Sequence, residues 1–494
     1  MISYLRVLEY IDSSYKMSNL NLKNLIVKDN MSLRHALKIM NASGQEICFV
    51  TKKNKLLNII TDGDIRRALI RGHVLTDNIK KIKPKKNYIF VKEKYNFLDL
   101  QKKIAKYKII TIINSKKEII DYASEKRFRQ LPQSEPSLSG NELKYVTEAI
   151  KSGWISSVGK YVDMFEKKFG SFVKNEYCLT TSNGTTALQL AIAALKLKPK
   201  DEIIVPDYTF ASPINSIIHS NCKPVLADID SNNLCLSLNS IKKVLSKKTK
   251  AIIIVHLYGN APEITRIIKF CNEKNIKIIE DCAEAFGTYY KKKHVGNFGD
   301  FGTFSFFGNK TISTGEGGMI IFKKKEHYLL AKKMRDHGMR ADKKYWHDEI
   351  GFNFRMTNLQ AAVGCAQLEK AKKFVNRKIQ IFKRYNLKLK DLKFLKMIKQ
   401  SKNIKNSHWL TFIILKNKPD RNKLFKFLNN KGIEVRSGFY SAHEMDIYKS
   451  YMSKNTHYTN SKEISSSIIT LPSSVSLKNE EIDHICKLIK SFFK

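Results

Sequence analysis

Three absences narrow what this chain can be. No apolar run approaches the roughly 18 residues that a membrane span requires, so a membrane-embedded chain is not expected. None of the eight cysteines forms a C-x-x-C pair or a zinc-type spacing. Neither a metal site nor a thiol–disulfide centre is therefore expected, and the thiols read as small apolar residues. Acidic residues are scarce, 45 Asp and Glu against 89 Lys and Arg, which leaves a net charge of +44. That balance invites a nucleic-acid reading. The excess, however, is mostly lysine scattered along the whole chain in patches such as Lys291 to Lys293 and Lys323 to Lys325. No recognition-helix, zinc-finger or RNP pattern accompanies it, so nucleic acid is not the expected partner. The charge can still draw in a polyanionic substrate. The opening residues, MISYLRVLEYIDSSYK, carry charges inside their apolar stretch, unlike a secretory signal, so a cytoplasmic protein is expected.

What is present is ordinary globular material, 43% hydrophobic and 27% charged over 494 residues, enough for about two to four domains. After an N-terminal extension over 1–19, residues 20–125 form a weak internal repeat. The first copy has an opening strand, an amphipathic helix carrying Leu33, Leu37 and Met40, strands ICFV and LLNII, and a helix begun by TDGD. The second starts near Ile79 and gives YIFV, a helix around Phe97 to Ile104, KIITIIN and IIDYAS. Two β-α-β-β-α copies of this length resemble a CBS-domain pair. In TDGDIRRAL, Thr61 and Asp64 stand where that family holds a nucleotide ribose, which implies a regulatory nucleotide site. The second copy has Tyr122 and Ala123 there and lacks the acid. A purely structural or dimerising module remains the alternative.

Residues 126–141 are polar, contain two prolines and read as a linker. Beyond them helical patterns alternate with short apolar strands (EIIVP, PVLADI, AIIIVHLYG, IKIIED, GTFSF, GGMIIF), which predicts an α/β domain over 142–384 with a mostly parallel sheet. A smaller α+β domain is expected over 385–494, from WLTFIIL, GIEVR and the last helix EEIDHICKLIKSFF.

Four segments of the central domain carry chemistry. TTSNGTTALQLAIAAL opens an apolar helix with a polar turn at Gly184, and free N–H groups at a helix start with Ser182, Thr185 and Thr186 make an anion site; a simple N-cap is the alternative. IKIIEDCAEAFG ends a strand in Glu280 and Asp281, where a carboxylate faces the crevice in which α/β ligands bind. GDFGTFSFFGNKTISTGEGGMIIF places Lys310 among phenylalanines and glycines, and apolar enclosure lowers a lysine's pKa toward the neutral nucleophile. Ser305 lies five residues earlier. VPDYTFASPINSI offers Phe210 as a ring to stack on a flat ligand, or as a core aromatic.

With GWISSVGKYVDMFE, VHLYGN and YWHDEIGFNFRMTNLQAAVGCAQLE, these segments resemble, in order, the DegT/DnrJ/StrS family of sugar aminotransferases over about residues 131–494. The resemblance implies a fold type I enzyme dependent on pyridoxal 5'-phosphate (PLP), an α/β large domain followed by a small α+β domain. It implies that Lys310 carries the cofactor, Asp281 pairs with the pyridine nitrogen, Phe210 stacks on the ring, and Gly184, Thr185, Thr186 and Ser305 bind the phosphate. It further implies that Asn353 reaches the phosphate of a neighbouring subunit's cofactor in an obligate homodimer. Lys310 separates this reading from related dehydratases, which carry histidine there. Glu284 stands where many relatives have glutamine near the cofactor's phenolic oxygen; a carboxylate facing a phenolate is repelled, so a raised pKa or an orientation toward substrate is expected. The wording is nearest the perosamine-synthetase branch. That implies glutamate as donor and GDP-4-keto-6-deoxymannose as acceptor, with a UDP- or other nucleotide-linked 4-keto-6-deoxysugar as the alternative. Trp154, Ser156, Ser157, Lys160 and Tyr345 are candidate substrate contacts. A reading of another class is a CBS-type sensor that binds PLP without turnover.

Overall fold

The computed structural model describes residues 22–44, 46–53, 55–82, 89–93, 95, 97–124, 130–398, 401–452 and 457–494. The N-terminal extension over 1–19 and residues 126–129 of the expected linker lie outside the described residues. The chain divides into two compact units, one of residues 1–131 with 427–433, the other of 132–426 with 434–494.

The first unit shows the repeat. Strands β1 (Ile26–Lys28), β2 (Ile47–Lys52) and β3 (Lys55–Thr61) form one sheet, and β4 (Phe90–Lys92), β5 (Ile109–Ile113) and β6 (Ile119–Ser124) another. In each, the first pair is parallel and the second antiparallel. The helix Leu33–Ser43 buries Leu33, Ala36 and Met40, a stripe spaced for one helical face. Ser32 caps its start and Gly44, at φ +63°, ends it in the left-handed region that glycine adopts without a Cβ penalty. The copies join through a core of Leu25, Ile47, Phe49, Leu56, Ile113 and Tyr122, with the Phe49 and Tyr122 rings 5.1 Å apart. Thus Tyr122, which stands at the acid's position in the second copy, is a packing residue, 1% exposed.

The second unit is built on a seven-stranded sheet in the order β7 (Cys178–Thr181), β15 (Gly318–Phe322), β14 (Phe301–Ser305), β11 (Lys277–Asp281), β10 (Thr249–Val255), β8 (Glu202–Pro206) and β9 (Lys223–Ala227). Only β15 runs against the others. Both faces are covered by helices, which is why the strands read as unbroken apolar runs: Ile252, Ile253 and Ile254 are all fully buried, though successive side chains face opposite ways. Burial of each such side chain stabilises by about 1.5–3 kcal/mol. A hairpin of β12 (Tyr289–Tyr290) and β13 (Lys293–His294) pairs with β17 (Ile404–Lys405). The smaller sheet has the order β16 (Leu395–Lys396), β18 (Thr411–Leu415), β20 (Ile468–Leu471) and β19 (Arg436–Ser437).

Two expectations about organisation change. The stretch read as a linker is packed in its middle: Leu131 and Gln133 are 2% and 3% exposed, and Gln133 donates its backbone N–H to Glu434 and accepts from Ser473 N–H through its carbonyl. A boundary at 384/385 falls inside the helix Ala371–Leu389, because Ile381, Tyr385 and Leu389 continue one buried face across it.

Candidate active site

The site lies at the C-terminal ends of the parallel strands, in a cavity of about 720 Å³ between the large sheet and the β18–β20 segment. That size suits an organic ligand. β11 ends in two adjacent acids. Alternation along the strand sends Glu280 and Asp281 to opposite faces. Glu280, fully buried, accepts from the backbone N–H groups of Gly296 (2.8 Å), Phe298 (2.6 Å) and Gly299 (2.7 Å) and pairs with His256 Nε2 at 2.9 Å. Burial pushes its carboxyl up, but His256 and the N–H groups outweigh that and hold it below its usual value. Glu280 is therefore a structural clamp.

Asp281 faces the cavity. It is 5% exposed and accepts one hydrogen bond, from Ala283 N–H at 3.0 Å. Burial raises its pKa against the opposing pull of that N–H and of Lys310. A nearly bare buried carboxylate favours a cationic partner.

Lys310 follows β14 in a turn closed by its own N–H to Phe307 O at 2.9 Å. Phe304 and Phe306 anchor the segment in the core at 1% and 0% exposure, whereas Phe307 lines the cavity. The Lys310 ammonium sits 4.0 Å above the Trp409 ring. Burial lowers its pKa, with Glu284 and Asp281 pulling it back up, so the neutral amine is more accessible than in a solvated lysine. Glu284 is 6% exposed, accepts from Tyr258 N–H at 2.8 Å and is raised to about 7. The expected rise is present, but burial causes it, within the protein itself.

The segment expected to form an anion site is the start of the helix Gly184–Ala194. Asn183 and Thr186 form a reciprocal capping box, with the Asn183 side chain taking Thr186 N–H at 2.9 Å. Thr186 Oγ1 donates to Asn183 O at 2.9 Å. The capping reading is met by Thr186, and the Gly184 and Thr185 end of the same turn lines the cavity. Thr185 Oγ1 accepts from Ser212 Oγ at 2.7 Å, which leaves its own proton for a ligand. A Cβ on Gly184 would stand 2.8 Å from the Ser305 Cβ, so only glycine lets Ser305 close the cradle. Phe210 is 60% exposed and lines the cavity, which favours a ring-stacking surface over a core aromatic.

Other expected residues are not gathered here. Asn353 is exposed and accepts from Arg355 Nε at 3.1 Å. Trp154, Ser156, Ser157, Lys160 and Tyr345 do not line the cavity. Asn358 holds the loop of Trp154, Ser156 and Ser157, donating to Trp154 O at 2.6 Å, and Lys160 pairs with Glu148 at 3.1 Å. In the first unit, Thr61 and Asp64 bond each other in a capping box: Thr61 N–H and Oγ1 donate to Asp64 Oδ2 at 3.0 and 2.7 Å, and Arg67 bonds Asp64 Oδ1 at 2.6 Å.

The cavity also contains residues that no motif singled out: Gln133, Ser212, Tyr258, Asn309, Trp409 and Arg436. Trp409 is fixed by its Nε1 donating to Asn309 O at 2.8 Å and by buried Lys378 donating to Trp409 O at 2.9 Å. Burial brings that lysine down to about 7. Ser212 was within reach of sequence reasoning, since it lies in the motif that carries Phe210.

These residues fit PLP. A helix start suits its phosphate, Phe210 a flat ring, Asp281 a protonated ring nitrogen and Lys310 an aldehyde. Thr209 Oγ1 and Asn309 Oδ1 are buried in the cavity wall without a protein partner among the described residues, as expected where a polar ligand completes a site.

Comparison with known proteins agrees with the geometry. The DegT/DnrJ/EryC1/StrS aminotransferase family matches residues 136–490, and the CBS domain matches 18–71. GDP-perosamine synthase of Vibrio cholerae is 42% identical over 365 residues, covering 74% of this chain and 99% of the relative. The structure of Helicobacter pylori PseC, an aminotransferase of pseudoaminic acid biosynthesis, aligns over 74% of this chain and 98% of its own with a TM-score of 0.70 at 25% identity. E. coli GDP-4-keto-6-deoxy-D-mannose-3-dehydratase with bound hydrated PLP aligns over 72% and 98% with a TM-score of 0.68 at 26% identity. The chain belongs to the DegT/DnrJ/EryC1/StrS aminotransferase family and is a PLP-dependent aminotransferase with an N-terminal CBS domain.

Proposed function

We propose that this enzyme moves an amino group from glutamate to C4 of a nucleotide-linked 4-keto-6-deoxyhexose, with GDP-4-keto-6-deoxymannose as acceptor and GDP-perosamine as product. The observation that carries the reading is the pairing, across one cavity, of a partly buried lysine of lowered pKa with a buried carboxylate that keeps a single hydrogen bond. The similarity to a GDP-perosamine synthase along nearly its whole length supports the choice of sugar.

The roles follow from the residues. PLP, when bound, supplies the electron sink for charge that develops at the donor's α-carbon. Asp281 favours a protonated ring nitrogen. Lys310 Nζ would hold the cofactor's aldehyde, and its free amine would be the base that moves the proton from that carbon. The Gly184–Thr185 turn with Ser305 anchors the phosphate, and Phe210 limits tilt of the ring. Glu284, near 7, can hold or release a proton beside Lys310 at physiological pH. Donor and acceptor use the same cavity in turn, so ping-pong kinetics are expected.

A homodimer is part of the proposal, with Asn353 completing the phosphate site of the neighbouring subunit. Its exposure, and that of Trp154 (58%), Val158 (61%), Tyr345 (76%) and Ile350 (90%), suits burial against a second copy. Light scattering should return twice the 57.0 kDa chain mass. In such a dimer the loop of Trp154, Ser156, Ser157 and Lys160, together with Tyr345, would contact the nucleotide sugar. No described helix is long and apolar enough to cross a membrane, and we place the activity in the cytoplasm, where its eight buried, unpaired thiols persist. A nucleotide at Thr61 and Asp64 would modulate it.

The test is mass spectrometry of products from glutamate with GDP-, UDP- and dTDP-linked 4-keto-6-deoxysugars. An amino sugar from the GDP substrate is expected. Turnover confined to a UDP or dTDP substrate replaces the acceptor, and no amino sugar from any of them removes the proposal.

A further inference from the structure

We propose that Arg436 is the anchor for the anionic end of whichever substrate occupies the cavity, and that Gln133 and Glu434 position it. The inference rests on the proposed function, which gives the cavity two successive anionic substrates: the donor with its α- and side-chain carboxylates, and the nucleotide sugar with its diphosphate.

The charge distribution in the cavity motivates it. Three carboxylates line it, Asp281, Glu284 and Glu316, against two described cationic side chains, Lys310 and Arg436. Lys310 is the reacting amine, and burial already disfavours its charge. Among the described residues that line the cavity, the positive charge to meet an incoming anion is therefore left to Arg436, whose guanidinium offers a planar fork to carboxylate or phosphate oxygens.

The surroundings of Arg436 restrict where that fork points. Its Nε and Nη2 both donate to Glu434 Oε1, at 3.0 and 2.7 Å, so one edge is held and the Nη1 end is left for another partner. With the Arg436 side chain 57% exposed, the ion pair itself contributes little to stability; its effect is orientation. Glu434 is fixed in turn, because its Oε2 accepts Gln133 N–H at 3.1 Å. The Gln133 side chain completes the frame: Nε2 donates to Thr470 Oγ1, which donates to Arg436 O at 3.0 Å. Gln133 is 3% exposed, so burying its amide requires these bonds.

The experiment uses the PLP-loaded full chain. Conversion of the cofactor's absorbance by L-glutamate without acceptor gives the half-saturating donor concentration, and calorimetric titration with GDP gives diphosphate binding without turnover. Arg436→Gln should raise the half-saturating glutamate concentration and weaken GDP binding, each about ten- to hundred-fold, as expected for loss of a charge-assisted bond. Arg436→Lys should recover part of both, and Gln133→Ala should give a two- to five-fold change in the same direction with the limiting conversion rate unchanged. An effect on glutamate alone, or on GDP alone, overturns the shared anchor and confines Arg436 to that one ligand. If Arg436→Gln and Gln133→Ala leave both constants within two-fold, or lower only the limiting rate, the proposal is wrong. Should the wild-type protein fail to react with glutamate, the proposed donor falls, and the GDP titration still decides whether Arg436 binds an anion.

Discussion

Two helix starts in this molecule carry nearly the same local chemistry and do different things with it. After β3, Thr61 and Asp64 form a reciprocal cap at Asp62–Ile70; after β7, Asn183 and Thr186 do the same at Gly184–Ala194. In the first, the carboxylate is fully engaged by Thr61 and Arg67. In the second, the cap is a neutral amide, the next residue is glycine, and the turn opens into a cavity that also holds a lysine and an aspartate. The comparison teaches that a capping signature states where a helix begins, and that an anion site needs in addition a missing Cβ and converging groups from other strands.

The sharpest way to break the comparison is to remove the converging group. Lys310→Ala should lower turnover by at least about 10²–10⁴-fold while leaving the fold intact, read by steady-state amino transfer and circular dichroism. Next is the glycine: Gly184→Val places side-chain carbon against Ser305 and should weaken cofactor retention about ten-fold or more, measured as the rate at which PLP is lost on dilution.

Glu284 gives a pH signature. Its folded pKa of about 7 lies above the usual 4.5, so the folded chain binds more protons than the unfolded chain between those values. Its contribution to stability therefore declines as pH rises from 4.5 to 7 and is flat above, by up to about 3 kcal/mol. In urea unfolding of the cofactor-free protein, Glu284→Gln should gain on the wild type between pH 5 and 8; equal pH dependence of the two would remove the raised pKa. The smallest effect belongs to the other helix start. Thr61→Ala should cost the N-terminal unit about 1 kcal/mol by loss of the cap and leave basal turnover unchanged. With a nucleotide at this helix start as proposed, Thr61→Ala should also weaken binding of a guanine or adenine nucleotide; unchanged binding would confine Thr61 to capping.

Most of the scaffold was legible because it rests on local pattern. The apolar runs of β8, β10 and β11 can be read as buried parallel strands, and the two copies around β1 to β6 as a repeat. Lys310, Asp281 and Phe210 were legible because each sits in an informative neighbourhood of phenylalanine, strand end or polar turn. Trp409, Arg436 and Gln133 were not. They reach the cavity from segments about 100 to 300 residues apart in sequence, as the bonds from Trp409 to Asn309 and from Gln133 to Glu434 show, and no short pattern records that meeting. The strand expected from GIEVR shrinks to Arg436–Ser437, and its last residue serves the site rather than the core.

The most direct test of the account is chemical. Borohydride treatment of the PLP-loaded protein, followed by proteolysis and peptide mass mapping, should place a reduced pyridoxyl group on the peptide that contains Lys310 and leave Lys310→Ala unlabelled. Labelling of a different lysine, or undiminished labelling of Lys310→Ala, would contradict the assignment on which the proposed mechanism rests.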